Sequence, residues 1–291
     1  MISIIIASVN GLQLENVKKN IADTIGVPYE LFSFDNIDGT KGLCELYNSG
    51  AAKAKYNILC FMHEDVELLT SNWGAKVCEI MHDETIGLLG VAGSTYKALT
   101  PSGCAFAGNE AKTNKVNIIQ RYKYNTGVTK KEYFNSENEQ LTQVACIDGV
   151  WMCARKSITT ANKFDENTLP LFHGYDIDFS LQVARKHKVM VTFDILIDHF
   201  SEGNYSADWL KSAIQISLKH QQQLPLNVAN LDAIEVARGE KMACKALLKM
   251  LSAENYNALA KTGVFWKCRL YRVLGFPRFL LFNLKIIIGR Y

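Results

Sequence analysis

The residues best suited to chemistry begin at His63-Glu64-Asp65, directly after the apolar run Ile58-Leu59-Cys60-Phe61-Met62. A short unbroken apolar run rich in β-formers reads as a strand buried on both faces. In open α/β sheets, ligands bind beyond the carboxyl ends of such strands. A carboxylate placed there could hold a divalent metal, and the metal a diphosphate. Taken alone, the triplet also reads as a polar loop that closes a core strand. Three later places carry the same kind of residue. Asp148-Gly149 interrupts the apolar stretch 144–154, Asp176 and Asp178 lie in His173-Gly174-Tyr175-Asp176-Ile177-Asp178-Phe179, and Asp198-His199 ends the apolar stretch 189–197. Either Asp176 or Asp178 could take a proton from a hydroxyl. On a helix, two residues apart is about 200° of arc, so only one of them would face a given site. The other reading of both is an acid that favours a helix N-terminus.

These residues need a scaffold, and the pattern around them supplies one. Residues 2–8 read as a strand, 12–25 as a helix stopped by Gly26-Val27-Pro28, and 29–34 as a second strand ending at Asp35-Asn36. A helix follows over 43–54, then the strand to Met62, a helix over 72–81 and a strand over 86–92. This β-α-β-α-β-α-β order predicts a mostly parallel central sheet with flanking helices and right-handed crossovers. Residues 93–138 are polar, without clear periodicity, and read as a long functional loop, a lid or an acceptor-selecting segment. Residues 180–186 read as a helix and 189–197 as a late strand. Two helices, over 206–224 and 228–251, lead into the C-terminal tail.

Composition narrows the class. The chain has 291 residues, 48% hydrophobic and 21% charged, which suits a globular protein with a full core. Eight cysteines sit singly with no CxxC spacing, which argues against a zinc knuckle and suggests a reducing, cytoplasmic setting. No GxxxxGK[ST] and no GxGxxG after the first strand is present, so the usual P-loop and dinucleotide signals are missing. The net charge of +3 is uneven: residues 261–291 hold seven Lys or Arg and no acid, and the first 260 residues sum to −4. An acidic body without a nucleic-acid motif argues against nucleic-acid binding.

The order of these motifs resembles the family-2 glycosyltransferases of the GT-A fold, and within them the StrF-like branch. The resemblance covers roughly residues 2–205 and rests on five places: the first strand to Asn10, Phe34-Asp35-Asn36, His63-Glu64-Asp65-Val66, Ile147-Asp148-Gly149 and the His173–Phe179 motif, with Asp198-His199 after them. It implies a GT-A domain over 1–205 and a C-terminal helical extension over 206–291. It also implies a nucleotide-sugar donor, a UDP-sugar above others, lying across the first half of the sheet. Asp35 would contact the base, although Asp-Asn also makes a plain turn. Ser8 and Asn10 would meet the nucleoside, and Lys41 and Asn48 ribose or phosphate. Asp65 matches the last Asp of the family's Asp-x-Asp and is the first metal ligand. Glu64 would touch ribose or the donor sugar. His63 replaces the usual first Asp; it joins the donor-binding set and shifts the balance between Mn²⁺ and Mg²⁺ toward Mn²⁺, because Mg²⁺ prefers oxygen. His199 would be a distal ligand or a diphosphate contact.

The same alignment makes Asp176 the base of an inverting transfer to a glycan or lipid-linked glycan. Asp148 and Gly149 would lie near the acceptor. Trp151 would either stack on a sugar or belong to the core. His173 and Tyr175 would line the same cleft. The basic, aromatic-rich tail 261–291 fits an interfacial segment on the inner face of a membrane, or a helix packed on the body or in a homo-oligomer interface. Two other readings stand beside the transferase: a nucleotidyltransferase, and a non-catalytic glycan-binding or scaffold protein that keeps the fold.

Overall fold

The computed structural model describes residues 1–106, 108–122, 128–200, 203 and 205–289. Ser201, Glu202 and Arg290, and residues 123–127 of the long polar stretch, lie outside the described residues.

The first third follows the predicted alternation. It runs β1 (Ile2–Ser8), α1 (Gly11–Thr24), β2 (Tyr29–Asp35), α2 (Leu43–Lys53), β3 (Ile58–Met62), β4 (Val66–Leu68), α3 (Trp73–Ile80) and β5 (Ile86–Gly90). The middle adds β6 (Ala92–Ser94), β7 (Tyr96–Lys97), α4 (Glu110–Thr113), β8 (Asn114–Arg121), β9 (Thr129–Phe134), β10 (Leu141–Val144), β11 (Cys146–Ile147), β12 (Trp151–Arg155), α5 (Lys156–Ala161) and α6 (Tyr175–Val183). Then come β13 (Lys188–Thr192), β14 (Ile197–His199), α7 (Ala207–Lys219), β15 (Leu226–Asn227), α8 (Ala233–Ala253), α9 (Ala258–Lys267), α10 (Tyr271–Leu274) and α11 (Phe276–Ile287).

Seven strands form the central sheet in the order β10-β13-β5-β12-β3-β1-β2. β2, β1 and β3 pair in parallel, as do β5 and β13, while β12 lies antiparallel between β3 and β5 and β10 is antiparallel at the edge. Strand periodicity divides the core. On β1, Ile4 and Ile6 pack with Val17 and Ile21 of α1, whereas Ile5 packs with Leu43 and Tyr47 of α2. Each face of the sheet is therefore covered, which is why β1 and β3 are apolar without alternation.

A second sheet, in the order β11-β6-β8-β14-β4 with β9 paired to β8, stands at the carboxyl end of the first. Its registers matter for function. β14 sets His199 opposite Val66 of β4 and opposite Gln120 of β8.

Two sequence expectations are corrected here. The stretch 93–138 is not one long loop, because it holds β7, α4, β8, β9 and part of β6. Its strands escape a hydrophobicity reading because they bury polar groups. Lys115 pairs with Glu137, and the Asn117 amide donates to the carbonyls of Phe193 and Ile195 at 2.9 Å each. The late apolar stretch 189–197 is two strands, since the chain breaks at Phe193 and crosses from the central sheet to the second one.

The C-terminal helices share the apolar cluster of the body. Leu210, Ile216, Leu247, Phe265 and Phe279 lie in one buried cluster with Phe61, Met152 and Phe179. Glu240 of α8 is fully buried and accepts from the Tyr96 hydroxyl (3.0 Å), the Leu99 and Thr100 backbone N–H groups (2.9 and 3.2 Å) and the Thr100 hydroxyl (2.5 Å). Among the described residues, no helix is long and apolar enough to cross a membrane.

Candidate active site

β3 ends at Met62, and the chain turns through His63, Glu64 and Asp65 before β4. β14 then carries His199 back beside this turn. The result is a group of three potential metal ligands. One ligand atom from each of His63, Asp65 and His199 lies within 4.8 Å of the others. Asp65 Oδ1 is 3.8 Å from His63 Nδ1 and 3.7 Å from His199 Nε2. Burial, which outweighs the pull of Asp65, holds His63 below its ordinary pKa and therefore keeps the imidazole neutral, as a ligand must be. His199 Nε2 is buried and has no hydrogen-bond partner, although most buried polar atoms have one. An orphaned imidazole nitrogen aimed at a carboxylate and a second imidazole is the donor set of a first-row divalent cation. The residues present fit such a cation.

On the other side of His63, the Tyr175 hydroxyl lies 2.8 Å from Nε2 and donates to the Gly149 carbonyl at 3.1 Å. Tyr175 is the first residue of α6, which starts after Gly174 in the left-handed conformation at φ 86°. Asp176 follows, and its Oδ2 accepts from the Gly149 N–H at 3.0 Å. A side chain at Gly149 would force a shift, because a Cβ there would sit 2.2 Å from the Tyr175 hydroxyl oxygen. Burial, and next the charge of Asp148, push the Asp176 carboxyl up to about 7 from the usual 3.8, against backbone N–H bonds that favour the anion. A carboxylate that titrates near neutrality is suited to general base work.

Asp178 points the other way, as helical spacing predicts. It accepts from His220 Nε2 at 2.6 Å and from Lys219 at 2.8 Å, and so anchors α6 to the end of α7.

Several other sequence-predicted residues have different surroundings from those expected. Glu64 is buried and holds the end of β1. It accepts from the Ser8 hydroxyl at 2.5 Å and from the Val9 and Asn10 N–H groups at 2.9 Å, so Ser8 and Glu64 hold each other, and Glu64 also lines the cleft beside Asp65. The Asn10 side chain caps α1 by accepting from Leu12 and Gln13. Asn48 does not reach toward ribose or phosphate; its amide brackets the backbone N–H and carbonyl of Phe164 at 3.1 and 2.9 Å. Trp151 is fully buried against Trp73 at 5.9 Å between ring centres and cannot stack on a sugar. Tyr175 is buried as well, so its ring lines no open cleft.

The remaining residues stay open to solvent to different degrees. Asp35 is exposed at the end of β2, in register with Ser8, and accepts from the Ile37 N–H. Lys41 is exposed and pairs with Glu45 at 3.4 Å. Asp148 is exposed, and His173 is half-buried beside Phe172. A cleft of about 520 Å³ runs from Asp65 and Glu67 along Gln13, Asn16 and Asn20 of α1 to Phe200. Its size suits a small molecule.

Gln120 is a site residue that sequence reasoning missed. Its Oε1 lies 3.1 Å from His199 Nδ1. No local signal marks a glutamine on an unrecognised strand; only the β8–β14 pairing reveals it.

Residues 3–225 match the family described as Glycosyltransferase like family. Two solved proteins share the GT-A fold at low identity. GalNAc-T7, solved with UDP, GalNAc and Mn²⁺, superposes with a TM-score of 0.51 at 12% identity over 95% of this chain and 58% of that chain. This chain therefore spans a little over half of that protein's solved length. TarS 1-349 of S. aureus superposes with a TM-score of 0.52 at 12% identity over 100% of this chain and 92% of that chain. Its complex with UDP-GlcNAc gives 0.51 at the same identity. No curated protein matches the chain.

Proposed function

The chain belongs to the Glycosyltransferase like family, and from that premise we propose that it is an inverting, metal-dependent transferase that moves a sugar from a UDP-sugar to a glycan or lipid-linked glycan. The observation that carries the reading is the adjacency of two different chemistries. His63, Asp65 and His199 converge on one point, and Asp176, whose carboxyl is pushed up to about 7, is linked to His63 by hydrogen bonds through Gly149 and Tyr175.

His63, Asp65 and His199 would hold the cation, and Mn²⁺ suits two imidazoles better than Mg²⁺ does. When bound, such an ion neutralises the leaving diphosphate. Everything else is done by the chain. Asp35, exposed at the end of β2 in register with Ser8, would meet the base. Ionised Asp176 accepts the proton of the acceptor hydroxyl, whose oxygen attacks the anomeric carbon. The bond from that carbon to the diphosphate oxygen breaks, and its electron pair leaves with UDP. One displacement inverts the anomeric centre. The Gly149 N–H aims the Asp176 carboxylate throughout. The donor choice is supported by GalNAc-T7 and TarS, solved with UDP and UDP-GlcNAc respectively. A transferred hexose or N-acetylhexosamine and a StrF-like place within the family are parts of the same proposal.

The test is UDP release from a panel of UDP-sugars with Mn²⁺, in the wild type, Asp65→Ala and Asp176→Asn. Selective release that both variants lose supports the reading. No release from any donor, with no thermal shift by UDP and Mn²⁺, overturns it.

The same reading gives the tail a task. α11 buries Phe279, Asn283 and Ile286 and exposes Phe276, Leu280, Leu284 and Ile287 on an adjoining stripe, with Arg278 and Lys285 beyond it. An apolar stripe flanked by cations, in a segment without acids, suits the interface of an anionic leaflet. A lipid-linked acceptor would be presented there.

A further inference from the structure

A histidine binds metal through whichever ring nitrogen lacks the proton, and the partner of the other nitrogen decides which that is. Both histidines of the triad have such a partner, and in each case the partner's own second contact points to the direction of the hydrogen bond.

Consider His63 first. The Gly149 carbonyl can only accept, so its 3.1 Å contact takes the one proton of the Tyr175 hydroxyl. The hydroxyl oxygen, 2.8 Å from His63 Nε2, must then accept, and Nε2 carries the proton. Nδ1, which faces Asp65, is left with its lone pair. His199 repeats the logic with the nitrogens exchanged. The Gln120 amide nitrogen lies 2.7 Å from the Arg121 carbonyl, and a flipped amide would set two oxygens at that distance. The amide oxygen therefore faces His199 Nδ1, which must donate. Nε2 is left bare, which accounts for its lack of a partner.

We propose that Tyr175 and Gln120 are positioning residues that fix opposite tautomers in His63 and His199, so that the two free ring nitrogens converge on Asp65 before any cation arrives. The two come from distant elements, α6 and β8, and neither carries a charge. Tyr175 is itself held in an aromatic box, 5.4 Å from Tyr47 and 6.4 Å from Phe164, and Phe164 is the residue whose backbone Asn48 clamps.

This inference rests on the metal-binding reading above, and two measurements separate the failure of each. The first is ¹⁵N NMR of the imidazoles in the full, metal-free chain. The expected spectrum shows His63 protonated at Nε2 and His199 at Nδ1, and the reverse tautomer at either residue overturns the proposal whether or not metal binds. The second is Mn²⁺ titration of the full chain, with free Mn²⁺ read by EPR. Tyr175→Phe and Gln120→Met are expected to weaken Mn²⁺ binding about 10- to 100-fold, and Gln120→Glu, which keeps an acceptor at Nδ1, to restore it to within about threefold. Equal Mn²⁺ affinity in the wild type, Tyr175→Phe and Gln120→Met overturns the proposal and leaves the triad a metal site. Absence of Mn²⁺ binding in the wild type overturns the metal reading, with the tautomers still decided by NMR. If Tyr175→Phe fails to fold, the Gln120 pair decides alone, because Gln120 sits near the surface of the second sheet.

Discussion

At the scale of the residue, the site depends on an acid kept in a costly place. Folded Asp176 holds its proton up to about pH 7, whereas an ordinary Asp has lost it by about pH 4. Between those values the native chain binds more protons than the unfolded one, so this group makes stability fall as pH rises. The cost is complete above pH 7, where the base must be ionised to work. Asp176→Asn should therefore abolish transfer and raise Tm at pH 8, with the gain fading toward pH 4. A Tm that tracks the wild type at every pH would show that the carboxylate carries no such cost. Wild-type kcat/KM should rise with pH to a plateau above about 7. Gly149 makes a sharper case. Gly149→Ala presses a methyl onto the Tyr175 hydroxyl, and overpacking of that kind costs about 1–3 kcal/mol. Urea denaturation should show that loss, and Mn²⁺ binding should weaken with it, because the displaced hydroxyl is the partner of His63.

At the scale of the element, the sequence was legible wherever one rule governed. β1 to β3 and α1 to α3 are read off correctly because their apolar spacing meets a single core face or two. The placement of Asp176 and Asp178 on opposite sides of one helix follows from 100° per residue alone. Legibility fails where long-range pairing decides. Nothing near Gln120 announces that β8 will set it beside His199, nothing near Asn48 points to a loop 116 residues away, and Trp151 is a core residue because β12 inserts beside β3. The anchor of α6 is equally remote. Burial alone would raise the Asp178 carboxyl, but the bonds from His220 and Lys219 outweigh it and hold the group below its usual value. That pairing stabilises the fold above about pH 4 and is lost as pH falls through the lowered pKa. Asp178→Ala leaves His220 buried without its partner and should cost about 3 kcal/mol at pH 7. Chemical denaturation is expected to show the difference narrowing in acid, and a pH-independent difference would assign the effect to packing instead.

At the scale of the whole molecule, the charge is distributed so that the catalytic body and the tail face different surroundings. The acidic first 260 residues carry the site, and the cationic segment ends in α11 with its apolar stripe in solvent. Flotation with vesicles containing phosphatidylserine should carry the full chain upward, and Leu280→Glu with Leu284→Glu should leave it behind. Raised salt should weaken the attachment. Equal recovery of wild type and double variant would assign the stripe to another partner, and a dimer that the variant dissolves would identify a second copy of the chain.

The second sheet has a consequence for anyone who recombines this protein with its relatives. A segment such as 93–138 invites exchange as a cassette, because it lies between the recognisable motifs. Yet it supplies the glutamine behind one histidine and the arginine that pairs with Asp198, next to that histidine in the chain. A chimera made at those borders would import a different support for the metal together with any new acceptor preference. Loss of activity in such a chimera would report on the graft rather than on the sugar. Borders drawn after β8 would leave that support intact.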